Sequence, residues 1–265
     1  MRESSETHGT DPVRESDPAH TGADRPLFEA LHAALAAGAD PERASGQQRY
    51  MKSAMPYLGL TMPQVRTAVR AEVPAHPLPN RPAWLTVVAT LWDDATHREH
   101  RYAAIGVLRH RSYRDWLVPD EALLSLLRHL VTSGAWWDLV DELSHVAGDL
   151  LASDRLTMTA VLREWSRDPD LWLRRVSIIA QLGARGSTDV ELLSYAIDGS
   201  IDDPDFFARK AIGWALREYS KTDAAWVRRY LAAQSSRLSP LSRREALKWL
   251  AAHPTADLQA HPTAD

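Results

Sequence analysis

The sequence predicts an all-α protein built as one curved domain of stacked antiparallel helix pairs, spanning residues 25–251. Three observations predict it. Apolar residues recur at three- and four-residue steps almost everywhere between residues 26 and 251, the period of a helix with one buried stripe. Short breakers cut this region into segments of about 10–16 residues, an ordinary helix length. Strand-like alternation is nearly absent, and many short helices joined by short loops must bury their stripes against neighbours, as in a HEAT-like repeat solenoid. No strict sequence repeat is visible, so the repeats would be degenerate, and a globular helical bundle is the alternative.

Taken in order, helices are expected over 26–38, 41–55, 62–73, 80–93, 96–110, 119–133, 135–147, 153–166, 169–183, 187–198, 204–220, 222–233 and 240–251. Their start signals recur. Asp40-Pro41, Thr61, Asp168-Pro169, Asp203-Pro204 and Ser239-Pro240 each place a capping side chain near the first turn, usually with a proline whose missing N–H costs nothing there. Residues 1–24 are polar, rich in Ser, Thr, Asp, Glu and Pro, and are expected to be a disordered tail. Residues 252–265 carry AHPTAD twice, at 252–257 and 260–265, with too little apolar surface to pack, and are expected to form a second tail.

Charge and composition exclude several classes. The 265 residues suit one large domain or two small ones, and 45% apolar content allows a proper core. The net charge of -4 argues against a basic nucleic-acid binder by bulk composition. Residues 1–25 alone hold three basic and six acidic residues, so the remainder is only -1 and any anion-binding surface must be a local patch. The absence of cysteine rules out disulfides and thiolate metal sites and fits a reducing cytosol. No long apolar run lacks charge, and the N-terminus does not read as a signal peptide, so a cytoplasmic protein with no membrane partner is expected.

The stretch FFARKAIGWALREYSK at 206–221 stands out. On a helix, Ala208, Ala211, Ile212, Ala215, Leu216 and Tyr219 gather on one side, and Lys210, Trp214, Arg217 and Lys221 on roughly the opposite one. A flat ring among three cations suits a polyanion that is also touched by an aromatic, although a buried Trp with solvated cations gives the same pattern. In WWDLVDEL at 136–143, Trp136, Leu139, Val140 and Leu143 are expected to be buried, and Trp137 and Asp141 to be neighbours one turn apart. A carboxylate beside an indole face stabilises a cation, or simply pairs with an arginine.

Arg175 falls inside the apolar arc of Leu171, Trp172, Ile178, Ile179 and Leu182. It must either pair with a carboxylate across a helix interface or project to an anionic ligand. Arg49, Tyr50 and Lys52 could contact phosphates, although a core tyrosine with solvated cations is the commoner case. The histidines form no convincing metal set. Phosphate-loop, dinucleotide and nucleophile-elbow motifs are missing, so no cofactor and no metal are expected.

RYMK at 49–52, WWDLVD at 136–141, LRR at 173–175, FFARKAIGWALREYSK at 206–221 and PLSRREALKWL at 240–250 together resemble the AlkD-like alkylpurine DNA glycosylases, in that family's order and over about 200 residues. The resemblance implies a C-shaped HEAT-like solenoid holding double-stranded DNA in its concave face. It implies hydrolysis of the N-glycosidic bond of purines made cationic by alkylation at N3 or N7, without flipping the base into a pocket. It places Trp137 and Trp214 as aromatic walls against the deoxyribose and Asp141 as the catalytic carboxylate. It places Tyr50, Arg175 and Arg217 in support of the DNA backbone; Lys52, Lys210, Lys221, Arg243 and Arg244 complete the expected DNA-binding set. A nucleoid-associated bacterial monomer is expected, with no lyase activity because no lysine is clearly placed for a Schiff base. A catalytically silent DNA-binding or scaffold solenoid is the other class. The resemblance leaves methyl against bulky adducts, and general repair against self-resistance, open.

Overall fold

The computed structural model describes Gly22 and residues 25–254. Apart from Gly22, the expected tail at 1–24 lies outside the described residues, as does that at 252–265 beyond residue 254, with most of the AHPTAD duplication. Among the described residues there are thirteen α-helices and no strand. They are α1 (Arg25–Ala37), α2 (Pro41–Met51), α3 (Met62–Ala75), α4 (Arg81–Asp93), α5 (Arg98–Leu108), α6 (Glu121–Gly134) and α7 (Trp137–Ser153). They continue with α8 (Arg155–Trp165), α9 (Leu171–Ile179), α10 (Val190–Asp198), α11 (Phe206–Tyr219), α12 (Ala224–Ala233) and α13 (Pro240–Ala252).

Each expected segment holds one helix, and the differences have local causes. α2 stops at Met51 because Lys52 turns left-handed (φ 51°) and its N–H caps the carbonyl of Arg49. α9 stops at Ile179, short of Gly183 with its φ of 84°. Two 3-10 turns, Arg111–Trp116 and Arg185–Ser187, were not foreseen. Asp40 and Ser239 cap as expected, and Thr61 forms a full capping box with Gln64. At the two Asp-Pro-Asp sequences the helix begins two residues later than expected. Asp168 and Asp203 accept the N–H of Asp170 and Asp205, and those second aspartates are the true caps.

The repeat unit lies in the helix starts. α2, α4, α6, α8, α10 and α12 begin at 41, 81, 121, 155, 190 and 224, and α3, α5, α7, α9, α11 and α13 at 62, 98, 137, 171, 206 and 240. The odd-numbered helices from α3 to α13 pack in succession as one layer, and α4, α6, α8 and α10 pack against it from behind. Ion pairs lace successive units: Arg81–Asp120, Arg98–Asp138, Arg109–Asp149 and Arg128–Asp168 each join residues 39 or 40 apart. The core is a strip in two clusters, one anchored by the fully buried Trp84 and Trp92, the other from α9 to α13. Each buried leucine or valine in it contributes about 1.5–3 kcal/mol.

Candidate active site

The first turn of α7 is fixed by a buried polar network. Its N-cap, Trp136, has no side-chain capping bond. Instead Asp138 receives both forks of Arg98, at 3.0 and 2.5 Å, and the hydroxyl of Tyr102 at 2.5 Å. The Arg98 and Asp138 side chains are only 7% and 9% exposed. Burial and the charge of Asp138 push the Tyr102 phenol well above its ordinary range, so it donates and stays neutral. This network pins the turn that carries Trp137, and Asp141 follows one turn on. Leu139, Val140 and Leu143 are buried as expected. Trp136 precedes the helix and is half-buried against Trp172 and Phe207.

The anomalous Arg175 finds its partner here. Its Nε and Nη2 donate to the two oxygens of Asp141 at 2.7 and 2.8 Å, and Nη1 donates to the carbonyl of Phe207 at 2.8 Å. The Arg175 side chain is 5% exposed, so of the two roles open to it the structure displays the cross-helix pair with a carboxylate. Burial raises the pKa of Asp141, against the opposing pull of Arg175.

α11 and α13 complete the site. Lys210, Trp214 and Arg217 point into the cavity that Trp137, Asp141 and Arg175 line, with a volume of about 320 Å³. Phe206 and Phe207, the first two residues of α11, lie at its edge. Glu245 on α13 is 6% exposed and binds Lys210 at 3.2 Å, Arg217 at 3.1 Å and Lys248 at 2.6 Å. Burial disfavours its charge, but hydrogen bonds and attraction from Lys248 and Lys210 win and hold it below the usual carboxylate range. Gly213 makes this crossing possible. A Cβ there would sit 2.5 Å from Cβ of Glu245 and 2.8 Å from the carbonyl of Ser242.

Six of the eleven sequence-predicted residues therefore converge: Trp137, Asp141, Arg175, Lys210, Trp214 and Arg217. The other five sit elsewhere. Lys221 lies beyond the end of α11, where the helical period no longer applies, and pairs with Glu218 beside a different cleft. Arg243 and Arg244 border a shallow depression on α13. Tyr50 is 76% exposed near the end of α2, and Lys52 is that helix's left-handed cap. Sequence reasoning missed Glu245, Asp138, Arg98 and the Phe206–Phe207 edge. The available signals were a carboxylate inside the SRREALK motif and the parallel DPDLWLRR and DPDFFARK segments, which set Arg175 and Lys210 at one position of successive units.

The arrangement offers a half-buried carboxylate paired with a guanidinium, two indole rings, and a rim carrying more positive than negative charge. Such a set stabilises a positive centre in the cavity while holding anions around its mouth. Among the described residues no cluster of three or more His, Asp or Glu could hold a metal ion, and no helix is long and apolar enough to cross a membrane.

A search of curated proteins finds no match. A solved structure described as a predicted DNA alkylation repair enzyme from Enterococcus faecalis superposes with a TM-score of 0.72 at 28% identity, covering 80% of this chain and 97% of that one. The family model described as DNA alkylation repair enzyme matches residues 31–250, nearly all of the helical stack, and the chain belongs to that family.

Proposed function

We propose that this protein is a monofunctional DNA N-glycosylase that hydrolyses the bond between deoxyribose and a purine made cationic by alkylation at N3 or N7. The observation that carries the reading is the Asp141–Arg175 pair, set in one cavity with Trp137 and Trp214. An alkylated purine already bears positive charge, so it leaves with the electron pair of its C1′–N bond as a neutral base and needs no proton from the enzyme. Positive charge then develops on the sugar. The Asp141 carboxylate and the two indole faces stabilise that charge, and Asp141 orients the water that adds to C1′ and takes its proton.

Arg175 is a positioning residue in this scheme. A carboxylate buried alone would drift toward the neutral form, and the bidentate pair keeps it ionised and aimed. Lys210 and Arg217, held by Glu245, supply donors for phosphates on either side of the reacting nucleotide. An open cavity leaves the base stacked and admits bulky adducts as well as methyl groups. All of these groups come from one chain, so a monomer suffices.

The test is incubation of the purified protein with methylated duplex DNA, followed by chromatography of the released bases. Free 7-methylguanine and 3-methyladenine, with no release of unmodified purines and no strand cleavage before alkaline treatment, is the expected result. Tight DNA binding with no base release would make the chain a silent DNA-binding member of its family.

A further inference from the structure

The first two turns of α7 carry two aspartates, and the proposed mechanism uses only the second. Asp138 stands three residues before Asp141, which makes their side chains neighbours with Cβ atoms about 5–6 Å apart. Each has its own arginine, from opposite sides: Arg98 of α5 holds Asp138, and Arg175 of α9 holds Asp141. The Asp138 side extends further. Tyr102 uses its one proton on Asp138, so the hydroxyl of Tyr57, 3.3 Å away, donates to the Tyr102 oxygen. Tyr57 opens a segment whose next three N–H groups, at Leu58, Gly59 and Leu60, all donate to the fully buried Glu99. Arg98 and Glu99, adjacent in the first turn of α5, thus tie α7 on one side and the 57–60 segment on the other.

Holding α5 against α7 requires none of this, because apolar side chains would do it without burying a charge pair. A buried anion at Asp138 also acts on Asp141. Burial bears most on the Asp141 carboxyl and disfavours its charge; Arg175 opposes burial, the charge of Asp138 adds to it, and His145 opposes it. Across the cavity stand Lys210 and Arg217 of α11, with Glu245 of α13 paired to both, while Glu142 of α7 pairs with Arg66 of α3. Asp138 itself faces Arg98, Arg101 and Tyr102 of α5, and Tyr57. The donors on Asp138 draw its charge away from Asp141, so they govern how much of that charge Asp141 feels. Two unit charges about 6 Å apart, at an effective dielectric of about 20, shift one another by about 2 pK units.

We propose that Asp138, Arg98 and Tyr102 form a positioning unit that acts through Asp141, setting the negative field at the reacting carboxylate and with it the lowest pH at which the enzyme works. The inference rests on the proposed function for the role of Asp141 in base release; the effect of the unit on the titration of Asp141 stands apart from that role. Two substitutions act with opposite sign. Asp138→Asn keeps the shape and removes the anion, so the Asp141 titration moves down by about 1–2 units and excision persists to lower pH. Tyr102→Phe removes the neutral donor and leaves both Arg98 bonds, so more of the Asp138 charge repels Asp141 and its titration moves up by about a few tenths of a unit. A network that only held helices together would lower the rate at every pH and leave the acid limb in place.

The experiment titrates the side-chain carboxyl carbon of Asp141 by NMR in carbon-13-labelled wild type, Asp138→Asn and Tyr102→Phe, the signal being identified by its loss in Asp141→Asn. Single-turnover release of 7-methylguanine is measured over the same pH range, and circular dichroism checks that each protein is folded. The expected result is a downward shift in Asp138→Asn and an upward shift in Tyr102→Phe, each matched by the acid limb of excision. A titration that moves in neither variant, or in the same direction in both, overturns the inference, as does an acid limb that stays in place while the titration moves. If Asp138→Asn does not fold, Tyr102→Phe decides alone, and an unchanged Asp141 titration in it overturns the inference. A wild type that releases no base fails differently: it removes the proposed function, and the titrations still decide whether the unit acts on Asp141.

Discussion

Asp141→Asn separates the structural role of the Asp141–Arg175 pair from its chemical one. The Arg175 side chain is 5% exposed and holds three partners, two of them the oxygens of Asp141. The substitution leaves a buried guanidinium facing a neutral amide, with the Phe207 carbonyl at 2.8 Å as its other acceptor. Breaking one side of a buried pair costs about 3–5 kcal/mol, and the amide oxygen retains one hydrogen bond, so the lower end, about 3 kcal/mol, is expected. Adding Arg175→Met removes the stranded charge and substitutes an apolar chain of similar reach. The double variant should return to within about 1 kcal/mol of wild type, far less than the summed losses of the two single variants. Urea unfolding of the four proteins measures this. With a slope of about 3 kcal/mol per molar, the single variant loses about 1 M in midpoint. Additive losses, with the double variant less stable than either single, would refute the idea that these two charges stabilise each other.

Gly213→Ala should destabilise the protein by about 1–3 kcal/mol or more, since its Cβ would meet the Ser242 carbonyl at 2.8 Å and that backbone cannot easily move; thermal melting reads the loss. The His100 ring lies 3.9 Å from that of His32, tilted by 38°, and burial, then the charges of His32 and His97, push its pKa down to about 4. The unfolded chain therefore binds the proton more readily, so stability is fully present above about pH 6.5 and is lost as pH falls through about 4. His100→Gln should flatten the acid limb of the stability curve, which a pH series of urea midpoints measures. Trp214→Ala should slow base release by about 0.5–2 kcal/mol, roughly 2- to 30-fold, and do so least on the most labile cationic adducts; single-turnover kinetics on 7-methylguanine and 3-methyladenine duplexes check this.

The helices were legible because each carries its own period and most carry their own caps. The repeat was not, because the units share helix starts and charged positions more than residue identities: 34–40 residues separate successive starts. The Trp137–Asp141 neighbours and the Lys210–Trp214–Arg217 stripe could each be read from spacing within one helix, and only the family resemblance joined them. Arg175 could be recognised only as a misfit, since its resolution lies 34 residues away in Asp141. Glu245 and the Asp138–Arg98–Tyr102 network act across helices, where sequence spacing carries no direct signal. Lys221 follows the end of α11, so the helical period that gathers Lys210, Trp214 and Arg217 does not extend to it.

In the proposed mechanism Asp141 stabilises the sugar cation and orients water. The most direct test is single-turnover release of 7-methylguanine by wild type and by folded Asp141→Asn at saturating enzyme, with DNA affinity measured in parallel. Excision should fall by about 10²-fold or more while affinity holds or rises, because an anion has been removed from a phosphate-binding surface. In wild type the rate should also fall on acidification at a pH above the ordinary aspartate value, since burial raises the pKa of Asp141 and only its ionised form is active. A folded Asp141→Asn protein that excises at the wild-type rate would contradict the account.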